Sequence, residues 1–346
     1  MMTVGEQDAI FGLMSATPKD HYVPQCYLDA FAIEGPGKKE PHIYQYMPDG
    51  IVSARIKDVA SEKHFYTFPH KKTGAPMREV DELLTHIEGL ASPVIKKIIQ
   101  EGELNLSEEE HKNLAIFISM LVIRTPGFIK SQESVEEEGT KEFMAIKALN
   151  KEKFHKDWKE MAEDSLSEED IEKQRQIIIN KKYSIEFPNS KGHFMARGVK
   201  TAERLANYYY YLKKLHLLYS DSEQVLITSD NPVSVYRPVY VPPAMNAGYA
   251  NGTLLVPIGP CFALLLRDKS LGKNKIKLSG ERIKLVNKNI IHFSDNYVFS
   301  NLKSKKIFEV YKNEGGKHFQ KTKTTRMKSG PYTFFTSGPV PKEFIF

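Results

Sequence analysis

The sequence predicts an α+β fold, a central helical bundle packed against β segments from the N- and C-terminal parts of the chain. Three observations carry this. Apolar residues alternate or fall in short aromatic runs up to about residue 78, take helical spacing from Glu79, and return to β-type runs beyond residue 220. The helices follow one another instead of alternating with strands, which excludes a regular βαβ layout. A chain of 346 residues, 41% apolar, can bury a substantial core, and nowhere do about 18 apolar residues run unbroken.

The first helix begins at Pro24, where a missing N–H costs nothing in the first turn, and Tyr27, Leu28 and Phe31 then share one apolar face. The alternating, aromatic residues 42–46 and the turn Pro48-Asp49-Gly50 read as a hairpin, and residues 63–67 as the strand after it. Leu83, Leu84, Ile87, Leu90, Val94, Ile95 and Ile98 recur at helical spacing over residues 79–100. Ser107 with Glu110 three residues on is a capping box, and residues 114–123 form a strongly apolar helix that should be central and buried. Residues 130–190 are dense in Lys and Glu and read as a charged helical insertion holding the only tryptophan, Trp158; residues 165–169 look like a cap for a helix over 171–179. One more helix is expected over residues 196–220, then strands at 225–228, 253–257, 262–266 and 298–300.

The net charge of +6 lies at one end: residues 301–346 hold ten Lys or Arg against three Glu, so the remainder is close to neutral. Residues 1–300 are therefore read as one α+β domain and 301–346 as a basic, aromatic extension packed on it. With Phe308, Tyr311, Phe319, Tyr332, Phe334 and Phe335 interspersed, this end suits a nucleic-acid partner; a solvated surface hairpin is the plainer alternative. The N-terminus lacks the basic and apolar regions of a signal peptide, so a cytoplasmic location, without membrane association, is expected. Two cysteines, Cys26 and Cys261, are too few for a disulfide framework.

Several short motifs follow one another along the chain. They are His21-Tyr22-Val23-Pro24-Gln25 with Tyr27-Leu28 and Phe31; Phe65-Tyr66-Thr67; Arg124-Thr125-Pro126; Thr228-Ser229-Asp230-Asn231-Pro232-Val233; Pro257-Ile258-Gly259-Pro260; and Asn287 before the last strand. Together they resemble the landmarks of domain of unknown function 4238, an uncharacterised family, over residues 21–300. Cys26 stands where that family usually has Phe, and Asp29 where it often has a basic residue. The resemblance implies a shared fold but no activity.

Signatures of phosphate loops, dinucleotide folds, zinc proteases, serine hydrolases and CxxC pairs are absent. The landmark residues supply a dispersed polar set instead. One reading makes His21, Glu88 and Asp230 a general acid/base or divalent-metal centre, with Gln25, Arg124 and Asn231 holding an anionic substrate. The protein is then a nuclease-like phosphodiester hydrolase, of the kind met among bacterial defence or toxin effectors. The alternative is a non-catalytic module binding nucleic acid or protein, its polar set a structural network. On that view Glu88 and Arg124, each on an apolar helix, form a buried bidentate pair, and Asp230 closes an Asx-turn on the backbone two residues on.

Overall fold

The computed structural model describes residues 19–35, 37–66, 68–69, 76–77, 79–161, 166–187, 190–236, 248–268, 274–316, 325–329 and 332–336. It is an α+β protein that divides into two compact units. The first comprises residues 1–129, 191–321 and 339–346; the second comprises 130–190 and 322–338.

The first unit opens with β1 (Lys19–His21) and α1 (Gln25–Leu28), a single turn that tightens into a 3₁₀ turn at Asp29–Phe31. Pro24 sits one position before the helix and buries with Tyr27 and Leu28. The expected hairpin is β2 (His42–Met47) with β3 (Gly50–Arg55), while β4 (Ser61–Lys63) returns antiparallel to β1. The strand expected over residues 63–67 is instead a turn at residues 64–66, with Thr67 outside the described residues. A strand would send Phe65 and Tyr66 to opposite faces. Both are buried here, and the Tyr66 amide donates to the Asp20 carboxylate at 2.9 Å. The two-residue strands β5 (Phe68–Pro69) and β6 (Pro76–Met77) pair with each other.

Helices α2 (Glu79–Glu101) and α3 (Glu108–Ile123) pack together, and α3 starts on the expected capping box of Ser107 and Glu110. Residues 117–123 of α3 are all buried, as suits a helix apolar on every side. At Arg124-Thr125-Pro126 one helix ends and the next begins. Arg124 caps α3, the Thr125 hydroxyl accepts the Phe128 amide at 3.2 Å, and Pro126 is the first residue of α4 (Pro126–Ala148).

The second unit continues α4 into α5 (Lys151–Met161) and α6 (Glu168–Ile179), capped by the Ser167 hydroxyl. Ala148, Phe154, Ile171 and Ile178 make its small core, and Trp158 stacks on Phe154 at 4.7 Å.

Back in the first unit, α7 (Ser190–Leu212) stops earlier than expected and residues 213–219 form β7 (Lys213–Tyr219). Tertiary pairing overrides the helical spacing here: β7 lies between two strands, and its buried Lys213 ammonium donates to the Gly252 carbonyl and to Asp268 at 2.8 Å. Next come β8 (Thr228–Ser229), β9 (Ser234–Tyr236), β10 (Thr253–Gly259), β11 (Phe262–Asp268), β12 (Lys275–Lys277), α8 (Gly280–Phe293), β13 (Val298–Ser300) and α9 (Lys305–Glu314). Residues 225–227 were expected as strand. The Asn287 side chain grips them instead, donating to the Val225 carbonyl and accepting from the Ile227 amide, so an amide on a helix replaces a neighbouring strand.

One sheet runs β12–β7–β11–β10–β9, with β12 parallel to β7, and a second runs β3–β2–β13–β8. β13 thus joins the N-terminal hairpin to the C-terminal part, and the helices pack on β segments from both ends of the chain. Of residues 301–346, the described part is α9 and a hairpin, β14 (Thr325–Ser329) with β15 (Tyr332–Thr336); its aromatic side chains beyond Tyr311 lie outside the described residues. Among the described residues no single helix is long and apolar enough to cross a membrane.

Candidate functional site

The landmark residues assemble around Arg124. As the cap of α3 its side chain is 4% exposed, so each guanidinium nitrogen needs an acceptor. Nη1 donates to Glu88 Oε1 at 2.7 Å, Nη2 to the His21 carbonyl at 2.6 Å, and Nε to the Tyr66 hydroxyl at 3.2 Å. The fork is shared among three partners, which corrects the expected bidentate pair. Burial alone would lower the pKa of Arg124, but Tyr66 and Glu88 more than offset this and hold it above its ordinary value.

His21 ends β1, and both ring nitrogens are engaged. Nε2 lies 3.1 Å from the Lys57 carbonyl and so carries the proton, leaving Nδ1 to accept from Gln25 Nε2 at 3.4 Å. Burial, aided by Arg124, lowers its pKa. The thiol of Cys26 lies 4.0 Å from Glu88 Oε2, and burial beside that carboxylate pushes it up to about 11. At neutral pH Cys26 is a thiol, not a nucleophilic thiolate.

Asp230 forms a second knot. Its carboxylate accepts the backbone amides of Asp295, Asn296 and Tyr297 at 2.6–2.9 Å, not the amide two residues on, so the Asx-turn is replaced by a long-range clamp. The local turn belongs to Ser229, whose hydroxyl accepts the Asn231 amide and donates to the Asn231 carbonyl. Burial drives the Asp230 carboxyl up to about 7 against the pull of the Asn296 amide, with Asp295 adding to the rise. Asn231 is also buried and donates to the Phe293 carbonyl at 3.0 Å.

His21, Gln25, Glu88 and Arg124 are therefore brought together, whereas Asp230 and Asn231 spend their hydrogen bonds on the segment 293–297. Among the described residues no three of His, Cys, Asp and Glu could share a metal ion. Of the centre expected from His21, Glu88 and Asp230, the Asp230 carboxylate accepts three amides of residues 295–297. Sequence reading missed Tyr27, whose hydroxyl lies 2.8 Å from Thr228 Oγ1 and donates to the Pro257 carbonyl. It also missed Asp20. Both polar atoms are invisible to spacing arguments, although Tyr27, Thr228 and Pro257 each stand within a motif. Through Arg124 and Tyr27, motifs from five stretches of sequence become one hydrogen-bonded framework.

The family model described as "Protein of unknown function (DUF4238)" matches residues 19–304. The chain belongs to the DUF4238 family. No curated protein and no solved structure matches it. The DUF4238 match begins at β1 and ends at Ser304, the cap of α9, so it takes in the Arg124, Tyr27 and Asp230 contacts and stops short of the basic helix.

Proposed function

We propose that this chain is a nucleic-acid-binding module whose landmark polar groups hold the fold instead of performing chemistry. One observation carries the reading: the side chains expected to be catalytic are engaged by the protein's own groups, His21 on both nitrogens, Asp230 on both oxygens and Glu88 by the Arg124 guanidinium. The affinity is assigned to the surface around α9. Lys303, Lys305, Lys306 and Lys312 are exposed there without a carboxylate partner among the described residues, and the first turn of α9 contains no acid. Lys303, Lys305 and Lys306 at the positive end of the helix, with Lys312 in its last turn, form a local anion-attracting patch on a chain that is otherwise near neutral. The cytoplasm is the setting this reading expects, where the free thiols Cys26 and Cys261 stay reduced.

Phosphodiester hydrolysis is the competing reading, and one set of measurements decides. Anisotropy of labelled single-stranded DNA, RNA and duplex DNA is followed from about 50 to 200 mM salt, the range over which phosphate contacts weaken strongly. Replacing Lys303, Lys305 and Lys306 with Ala should weaken binding for every sequence and lower the salt slope by about 3, near 0.9 for each phosphate that is no longer neutralised. An unchanged slope removes the module from α9. Plasmid and RNA are incubated in parallel with Mg²⁺ or Mn²⁺, with and without EDTA. EDTA-sensitive cleavage that disappears in His21→Ala would replace the binding reading with the hydrolase.

A further inference from the structure

A cleft of about 750 Å³ opens beside the first motif, a volume typical of sites for small organic ligands. Its floor is a strip of α2 at i, i+3, i+4, i+7 spacing: Ser92, Ile95, Lys96 and Ile99. Ile33 and Phe262 close it from the loop after α1 and from the β10–β11 turn. At Gly259 in that turn a β-carbon would lie 3.6 Å from Ile99 Cδ1, so turn and helix are in ordinary contact at one end. At Gly35 and Gly37, both with φ +83°, a β-carbon would meet nothing within 4 Å, so the other end is open.

The cleft is mainly apolar, and its charges are unequally occupied. The Asp29 carboxylate accepts the Gly37 amide at 3.0 Å, and Glu34 accepts the His42 amide at 3.2 Å with the His42 ring 3.7 Å away. Both acids are thus turned to their own loop. Lys96 has no carboxylate partner among the described residues, and its charge is felt at Cys26 on the wall, where it opposes the upward push on the thiol. Asn301 Oδ1, another lining atom, is screened from solvent and accepts no hydrogen bond from the described residues.

The geometry points to a binding site for a small amphipathic carboxylate, its apolar body between Ile95, Ile99, Ile33 and Phe262 and its anionic head at Lys96. The basic helix α9 contributes no residue to this cleft, so the site stands or falls separately from nucleic-acid binding.

The two cysteines provide the assay, since both line the cleft, Cys261 exposed and Cys26 half-buried. Alkylation of each by iodoacetamide at pH 8.5 is followed by mass spectrometry with decanoate, decan-1-ol or decyltrimethylammonium. Decanoate should slow modification of both thiols at least tenfold and saturably, decanol less, and the cation least. Lys96→Glu should invert the order of decanoate and the cation while leaving decanol unchanged. Ser92→Trp, and separately Ile99→Trp in case the first fails to fold, should abolish protection at an unchanged melting temperature. Absence of saturable protection by decanoate, an order indifferent to Lys96→Glu, or protection that survives a folded Trp variant would each overturn the assignment.

Discussion

Replacing Glu88 with Gln removes the charge facing Arg124 and leaves the side-chain volume in place. Breaking one partner of a buried ion pair ordinarily costs about 3–5 kcal/mol, because the other charge stays buried. Two features reduce that here. The Glu88 side chain is 25% exposed, so water reaches part of the site, and the Gln amide oxygen can still accept from Nη1, keeping a bond worth about 1 kcal/mol. The His21 carbonyl and the Tyr66 hydroxyl remain as acceptors for the other two nitrogens. The expected loss is therefore about 2–3 kcal/mol. It should be read by urea denaturation with far-UV circular dichroism and not by tryptophan fluorescence, since Trp158 stacks in the second unit and reports on that unit's own core. A cycle with Glu88→Ala and Arg124→Met completes the test. The double variant should be more stable than the sum of the single losses allows, because removing both charges leaves nothing unpaired. A Glu88→Gln variant within about 0.5 kcal/mol of the parent, or an additive cycle, would refute a framework built on Arg124, since surface changes fall in that range.

Three further outcomes follow from the same hydrogen bonds and close approaches. The imidazole of His21 has a lowered pKa, so its contribution is complete above the ordinary value near 6.5 and is lost as pH falls through the depressed folded value; the urea midpoint should drop between pH 7 and 5, and by less in His21→Gln. Tyr27→Phe removes the donor that reaches the Pro257 carbonyl from α1 and should cost about 1–3 kcal/mol by the same measurement, with no loss disproving the link between the first motif and Pro257. A β-carbon at residue 252 would lie 2.4 Å from Val235 Cγ1 and 2.7 Å from the Gly248 carbonyl, so Gly252→Ala should destabilise by at least about 1–3 kcal/mol, whereas Gly89→Ala, in open space on α2, should not.

The parts of the fold set by local chemistry were legible in the sequence. Ser107 and Glu110 announce the start of α3 because a capping box needs only neighbours, and the apolar run of residues 114–123 announces its burial. Where a partner far along the chain decides, the reading failed. The spacing over residues 208–218 suits a helix, but only the presence of β11 and β12 on either side makes Lys213–Tyr219 a strand. Residues 225–227 carry strand propensity that Asn287, sixty residues on, converts into a clipped loop. The candidate site divided in the same way. Glu88 and Arg124 on two apolar helices had to meet a partner, and they meet. Asp230 had to meet one too, yet nothing in the motif says that its partners are three amides of residues 295–297.

The pairing of β2 with β13 has a consequence for how the protein is made. Tyr44, Gln45 and Tyr46 pair with residues 298–300, so one edge of the N-terminal hairpin has no mate until some 250 residues later have been translated. At about 5–20 residues per second that delay is roughly 12–50 s on the ribosome. Throughout it a strand rich in tyrosine presents open backbone donors and acceptors, the condition under which chains add to one another edge to edge. Nascent chains halted before residue 298 should therefore recruit holdase chaperones or self-associate, and chains extended past Ser300 should release them. The same closure that ties the N-terminal hairpin to the C-terminal part makes that hairpin wait for β13.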